Sequence, residues 1–379
     1  MSSRCTLRID FAAYVREQVL IATLVNAKMA AFALNWALGL RAIGLGGVVG
    51  VSARLNATAE TALQNAGAGV FCTSSEEMQI NAQAGRWAEV ASLLQSGFSV
   101  LLSDVDVGWA RDPLPYLRRV LQIHPAVGLL LSSNRARDPL FARVPLRGSG
   151  RRDGWLELEE SAPFVTDNTS SALNVGIAFF SHAVQRGLEA MLKGWVAALT
   201  MPSQRSAHGE PQPPRKELVA FDQGVIVRTL HRRMRMRRHP TDKRLALVDP
   251  SPPGGQGRGP VAPPAFGLGV LPSLQFSTAH VHSVWRPVRA PGAEAPPPFA
   301  VHAIIALGRS PIRKQWVLRE AGLWRLDDAP RPHVLGADDG RANPADSVVA
   351  KRLLQLETPA WPASLLGYDR ITTQLRQVL

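Results

Sequence analysis

Residues 101–117 read LLSDVDVGWARDPLPYL. The apolar run from Val100 to Leu102 follows Gly97 and predicts a short buried strand. Side chains two positions apart on a strand point the same way, so Asp104 and Asp106 are expected to lie on one face. Two carboxylates on one face repel each other unless a cation lies between them. The pair therefore favours a Mg²⁺ or Mn²⁺ site with positions left for phosphate oxygens, and the alternative is a turn of solvated aspartates.

The start of the chain indicates an α/β fold. The β-branched and aliphatic run 19–25 predicts a strand, and Gly47 to Val51 predicts a second one. Between them, apolar residues recur at helical spacing from Met29 to Leu40. Strand, helix and strand in this order form the unit from which parallel sheets are built.

The run from Ser103 to Leu117 resembles the Asp-x-Asp region of the plant and algal nucleotide-diphospho-sugar transferases, glycosyltransferase family 77. Four further stretches resemble that family and occur in its order. They are VLIATLVNAKMAAFALNWALGL (19–40), SALNVGIAFF (171–180), FDQGVIV (221–227) and a C-terminal block that contains FAVHA (299–303) and GRSPIRKQWVLREAGLW (308–324). The last block resembles the arabinosyltransferase-like branch of the family.

The resemblance implies a GT-A type fold, an α/β domain with a mostly parallel central sheet flanked by helices. It covers residues 19–326, which leaves an N-terminal extension at 1–18 and a C-terminal tail at 327–379. Stretches rich in Pro, Gly and polar residues predict loop insertions near 135–165, 200–216 and 240–266.

The same resemblance assigns roles to individual residues. A divalent metal ion, Mn²⁺ or Mg²⁺, is expected on Asp104, Asp106 and His302, although a histidine after an apolar run is more often a core residue. The nucleotide-sugar is expected to contact Asn26, Arg86, Asp104, Arg313 and Lys314, although Arg86 taken alone is an ordinary surface arginine. The catalytic residues are expected to be Asp222, Asn174 and Gln223, with Asp222 stabilising the β-face of the sugar as nucleophile or as charge.

The implied reaction is transfer of a sugar from a UDP-sugar with retention of configuration. Arabinose is favoured by the C-terminal block, and xylose and galactose stay open. The expected acceptor is a cell-wall glycoprotein or polysaccharide, and nucleic acid is not an expected partner. Two alternatives stay open, a catalytically weak protein of the same fold and a basic polyanion-binding protein without turnover. The first is raised by Ser52 and Asn134, which stand where relatives carry Asp.

The charge of the chain is strongly positive. The formal net charge is +13, and the densest basic run is HRRMRMRRH at 231–239. Such a run can hold phosphate or an acidic polysaccharide, but in an arginine-rich chain a solvated face is the commoner reading. The two cysteines, Cys5 and Cys72, exclude a disulfide scaffold and a four-cysteine zinc site and leave one bridge possible.

The N-terminus carries no recognisable targeting segment. Its first 18 residues lack an apolar core of signal-peptide length, and the clean apolar stretches within Val19–Val51 are shorter than the ~20 residues of a membrane span. Because relatives work in the Golgi lumen behind a membrane anchor, we expect a Golgi location and an N-terminus that is incomplete here.

Overall fold

The computed structural model describes residues 9–51, 55, 57–73, 82–134, 157–159, 173–200, 222–232, 234–250, 263–279, 281–285, 297–304 and 311–327. All of these residues lie in one compact unit, Met1–Pro332. The strands are β1 Val15–Arg16, β2 Val19–Val25, β3 Gly47–Val51, β4 Ala68–Cys72, β5 Ser99–Ser103, β6 Val107–Trp109, β7 Val127–Ser133, β8 Leu173–Phe180, β9 Arg237–Arg238, β10 Leu245–Val248, β11 Phe266–Val270, β12 Phe276–Thr278 and β13 Ala300–His302.

Seven α-helices accompany these strands in the described residues. They are α1 Ala30–Ala42, α2 Ala57–Asn65, α3 Ala82–Gln95, α4 Leu114–Ile123, α5 Gln185–Thr200, α6 Asp222–Arg232 and α7 Pro311–Glu320. Short 3₁₀ turns cover Phe11–Tyr14, Ala27–Met29, His182–Val184 and Arg325–Asp327, and a π turn covers Val281–Trp285. No helix in these stretches of the chain is both long and apolar enough to cross a membrane.

The main sheet runs β4-β3-β2-β5-β8-β7-β11-β10-β9, and β1 pairs with β2. The neighbours β4, β3, β2 and β5 are all parallel, as the strand-helix-strand opening predicted. The expected α/β class with a central sheet between helices is confirmed. The sheet as a whole is mixed rather than mostly parallel, because β8 runs antiparallel to both β5 and β7 and β10 runs antiparallel to β11.

Both faces of the main sheet are buried. Along β2, Ile21 belongs to one apolar cluster and its neighbours Leu20 and Ala22 belong to the other. The first cluster includes Trp36 of α1. The second includes Trp87 of α3 and Trp195 of α5, whose rings meet edge to face with centroids 5.0 Å apart. Burial on both faces explains why these strands are continuously apolar instead of alternating.

A small second sheet has the strand order β12-β13-β6. Its strand β6 follows β5 in the chain. β13 is parallel to β12 and antiparallel to β6, and its register places His302 opposite Val107. Since β6 begins directly after Asp106, this pairing brings the end of β13 to the two aspartates. The small sheet thus sets the position of the candidate site.

Candidate metal centre

Asp104 and Asp106 lie in the turn between β5 and β6. The sequence suggested that both lie on a regular strand, and this was wrong. Their side chains nevertheless converge. The backbone of the turn is fixed on both sides. The amide of Asp104 donates to the carbonyl of Gly176 at 2.7 Å, and the carbonyl of Asp106 accepts from the amide of Ala303 at 2.9 Å.

His302 completes the group from the end of β13. Its Nε2 lies 3.2 Å from Oδ2 of Asp104 and 3.4 Å from Oδ1 of Asp106. The side chains of Asp106 and His302 are each 4% exposed, whereas Asp104 is 32% exposed. The group is thus buried on one side and open at Asp104.

The spacing of these three side chains suits a divalent ion. Their ligand atoms all lie within 4.8 Å of one another. An octahedral ion with bonds of about 2.1 Å has adjacent ligand atoms about 3 Å apart, close to the two contacts of His302. Two carboxylates and one imidazole are donors that Mg²⁺ and Mn²⁺ accept. Within the part of the chain that the structure describes, it is the only group of three or more such residues that could hold a metal.

Two basic side chains reach the carboxylates from separate helices. Arg86 of α3 places Nη1 2.7 Å from Oδ1 of Asp104, and its Nη2 donates to the carbonyl of Val175 at 3.1 Å. Lys314 of α7 donates to Oδ2 of Asp106 at 2.5 Å. The structure therefore joins five of the predicted site residues in one cluster. Their assignment to metal and to nucleotide stays a prediction.

The charges in this cluster hold both aspartates in the ionised form. Burial raises the pKa of Asp104, but Arg86 and His302 outweigh it and bring the pKa below its ordinary value. Burial likewise raises the pKa of Asp106, and His302 and Lys314 together lower it well below the usual range. Burial lowers the pKa of His302, but Asp106 and Asp104 raise it to about 9. Without a metal ion, an imidazolium therefore shares the balancing of the two carboxylate charges with Arg86 and Lys314.

Asn174 is buried at the start of β8, and hydrogen bonds hold both its side chain and its backbone. Its Oδ1 accepts from the amide of Gly176 at 2.7 Å, and its Nδ2 donates to Oδ1 of Asn134 at 2.7 Å. The hydroxyl of Ser132 donates to its carbonyl at 3.0 Å. Asn134, where the resemblance predicts an Asp, thus accepts a hydrogen bond without a charge.

Three of the other predicted site residues are exposed or half-buried. Asn26 follows β2 and is exposed, and Arg313 is exposed in the first turn of α7. Gln223 is half-buried in the first turn of α6. Asp222 begins α6, but its side chain lies outside the described residues, as does Ser52.

Two residues of α1 that support the site were not predicted. Nε1 of Trp36 donates to the hydroxyl of Ser103 at 2.7 Å, directly before Asp104. Nδ2 of Asn35 donates to the carbonyl of Leu323 at 3.1 Å, just beyond the helix that carries Lys314. Asn35 and Trp36 lie in the 19–40 stretch that resembles the family. The resemblance therefore pointed to this pair, but it gave no reason to connect the two residues with the site.

Residues 70–309, well over half of the chain, match a family model described as nucleotide-diphospho-sugar transferase. No curated protein matches the chain in sequence.

Three of the solved structures that match the chain are glycosyltransferases with low similarity to it. The galactosyltransferase LgtC with donor and acceptor sugar analogues has 13% identity and a TM-score of 0.41, over 80% of this chain and 95% of that one. Mouse xyloside xylosyltransferase 1 in its apo form has 7% identity and a TM-score of 0.28, over 47% and 71%. Core-mannan synthase A from Aspergillus fumigatus in its Mn/GDP form has 10% identity and a TM-score of 0.29, over 48% and 66%. Similarity this low supports no conclusion about donor or acceptor.

Proposed function

Because the chain belongs to the nucleotide-diphospho-sugar transferase family, we propose that it transfers a sugar from a UDP-sugar with the help of a divalent metal ion. The observation that carries this proposal is the convergence of Asp104, Asp106 and His302 with two cations, Arg86 and Lys314. Paired acids with a neutral imidazole suit Mn²⁺ or Mg²⁺, and the flanking cations suit a diphosphate.

The difficult part of the reaction is the departure of the nucleoside diphosphate. The metal ion, when bound to Asp104, Asp106 and His302, supplies a Lewis acid for the negative charge that develops on the diphosphate. Lys314, one quarter exposed, and Arg313 at the surface of the same helix supply further positive charge to the leaving group. Arg86 holds Asp104 in place and contributes a further positive charge beside it.

The remaining roles rest on the resemblance in sequence. Asn26, at the end of β2, is assigned to the nucleoside. Asn174 and Gln223 are assigned to the sugar and the acceptor. Asp222 is assigned to the β-face of the sugar, where a carboxylate acts as nucleophile or stabilises an oxocarbenium-like transition state. These assignments correspond to transfer with retention of configuration.

The proposed donor sugar rests on the resemblance of the C-terminal block, and the proposed compartment rests on the resemblance to the family as a whole. GRSPIRKQWVLREAGLW (308–324) favours arabinose, with xylose and galactose as the next candidates. The proposed acceptor is a cell-wall glycoprotein or polysaccharide, and the proposed compartment is the Golgi lumen.

The test is binding of UDP with and without Mn²⁺, measured by titration calorimetry, followed by turnover of UDP-arabinose. Asp106→Asn keeps the shape of a buried ligand and removes its charge, so we expect metal-dependent UDP binding to weaken by at least about tenfold. Asp10→Asn is the matched control, because Asp10 is exposed and asparagine can still cap the turn that it begins.

Each outcome has a distinct meaning. Equal UDP binding in excess EDTA, or full activity of Asp106→Asn, would contradict the metal assignment. Metal-dependent binding without hydrolysis or transfer of any UDP-sugar would identify a catalytically weak protein of this family. Binding of polyanions without UDP would favour the basic binding protein.

A further inference from the structure

Gly176 lies in the middle of β8, and the imidazole of His302 occupies the position where another residue would carry its Cβ. A Cβ built on Gly176 would overlap Cε1 and Nδ1 of His302, and it would lie 2.8 Å from Oδ1 of Asn174. Non-bonded heavy atoms pack at about 3.5–4.0 Å, so no side chain fits at this position while the imidazole keeps its place. The imidazole of His302 therefore fills the space that the missing side chain leaves.

Among the residues that the structure describes, no second hydrogen bond fixes the orientation of this imidazole. Histidines that bind metal usually donate the other ring N–H to a carboxylate or carbonyl, which fixes the ring. Nε2 of His302 faces Asp104 and Asp106, whereas its Nδ1 is buried and has no hydrogen-bond partner among the described residues. Packing against β8 must therefore supply part of the orientation.

Gly176 also contacts another of the candidate ligands through its backbone. Its carbonyl accepts from the amide of Asp104 at 2.7 Å, and its own amide donates to Oδ1 of Asn174 at 2.7 Å. One residue thus meets the backbone of Asp104 and the ring of His302. The separation of these two ligands depends on how closely β8 approaches both.

We infer that Gly176 is a positioning residue, whose missing side chain lets His302 direct Nε2 at both carboxylates and so completes the metal site. This inference rests on the proposed function, because it concerns the same ion. It assigns a role to a glycine that sequence alone would read as a structural residue of a strand. Any larger residue here displaces the imidazole and leaves a site of two carboxylates.

The test is a double-mutant cycle with Gly176→Ala and His302→Ala, read out as Mn²⁺ affinity by electron paramagnetic resonance. With His302 present, we expect Gly176→Ala to weaken Mn²⁺ binding by at least about tenfold, the loss typical of altered outer contacts to a metal ligand. In the His302→Ala background the added methyl group has no imidazole to displace, and the expected change is under about twofold. The close approach to Asn174 is common to both backgrounds and cancels.

The thermal unfolding of the four metal-free proteins provides a second readout. Gly176→Ala should lower the melting temperature, and His302→Ala should restore part of that loss in the double variant. Gly50→Ala, on β3 and two strands away from β5, is the matched control, because its Cβ would overlap Leu24 and lie 2.7 Å from Phe71. It is expected to lower stability and to leave Mn²⁺ affinity unchanged.

Several results would overturn the inference. They are parental Mn²⁺ affinity in Gly176→Ala, an equal loss in both backgrounds, and failure of both Gly176→Ala and the double variant to fold. If only the single variant fails to fold and the double variant folds, the conflict is with the imidazole and the inference is supported. A parent chain that binds no Mn²⁺ contradicts the proposed function, whereas the unfolding cycle still tests the contact between Gly176 and His302.

Discussion

The ammonium group of Lys314 lies 2.5 Å from Oδ2 of Asp106, while Oδ1 of the same carboxylate faces Nε2 of His302 at 3.4 Å. The two oxygens of one buried carboxylate thus meet different partners. Just beyond the other end of α7, the carbonyl of Leu323 accepts from Nδ2 of Asn35. The helix that carries Lys314 is therefore attached to the candidate metal centre near one end and to α1 near the other.

Replacement of Lys314 by Met should impair the use of the nucleotide-sugar donor without weakening the binding of Mn²⁺. Loss of the ammonium removes positive charge from the leaving group, so kcat/KM for the donor should fall on the order of 10²-fold. Mn²⁺ alone should bind as tightly as before or more tightly, since Asp106 loses a competing cation. Titrations of Mn²⁺ with and without UDP check this. Arg319→Met is the control on the same helix, because Arg319 pairs with exposed Asp327, and unchanged turnover in Lys314→Met would contradict the assignment.

Replacement of His302 by Leu should show whether its nitrogen or its volume matters. Leucine fills similar space without a ligand atom, so Mn²⁺-dependent UDP binding should weaken by at least about tenfold. The variant should fold with a lower free energy of unfolding in EDTA, because two ionised carboxylates lose their imidazolium partner. His124→Leu, which disrupts a His–Asp pair with Asp242, is the control for a general effect of this substitution. Parental affinity in the His302 variant would identify a core histidine.

The raised pKa of His302 predicts how the stability of the metal-free protein depends on pH. The folded chain holds the imidazole proton more tightly than the unfolded chain, whose pKa is near 6.5, because the pKa of folded His302 is about 9. This contribution is full below pH 6.5 and is lost as the pH rises through about 9. We expect the free energy of unfolding in EDTA to fall across this window by on the order of 3 kcal/mol. His302→Leu should flatten the curve, and an unchanged slope in that variant would exclude His302 as its source.

Much of the N-terminal half could be predicted because its signals are local. The apolar run 19–25 coincides with β2, and the helical spacing from Met29 to Leu40 lies within two residues of α1, Ala30–Ala42. The direction of β8 could not be predicted in this way. A strand buried on both faces is apolar throughout, and the same residues suit a parallel or an antiparallel neighbour.

In the candidate site, too, residue spacing predicted a relationship between residues close in sequence, whereas it predicted no contact between distant residues. Asp104 and Asp106 are close in sequence, so their pairing was predicted, although the turn between β5 and β6 brings them together and strand alternation does not. Arg86 was expected near a diphosphate, and its ion pair with Asp104 depends on the packing of α3 beside β8. The contact between His302 and Gly176 joins distant parts of the chain, and neither residue type indicates the other in advance.

In the described part of the basic run 231–239, buried and exposed side chains alternate from Met234 to Arg237. Met234 and Met236 are buried in the apolar cluster under α5, while Arg235, Arg237 and Arg238 are exposed. β9 lies at the end of the main sheet, and four strands separate it from β5. The methionines are therefore core residues, and the arginines are exposed to solvent.

Simultaneous replacement of Arg235, Arg237 and Arg238 by Gln should leave the candidate site intact. We expect UDP binding and donor turnover to stay within about twofold of the parent, because exposed charges this far from the carboxylates are screened by salt. Retention on a heparin column at low salt should weaken, and its dependence on salt should become shallower, since fewer counterions are released. Melting temperatures of variant and parent provide the control for folding. If turnover is lost while the melting temperature is unchanged, the basic run belongs to the active site.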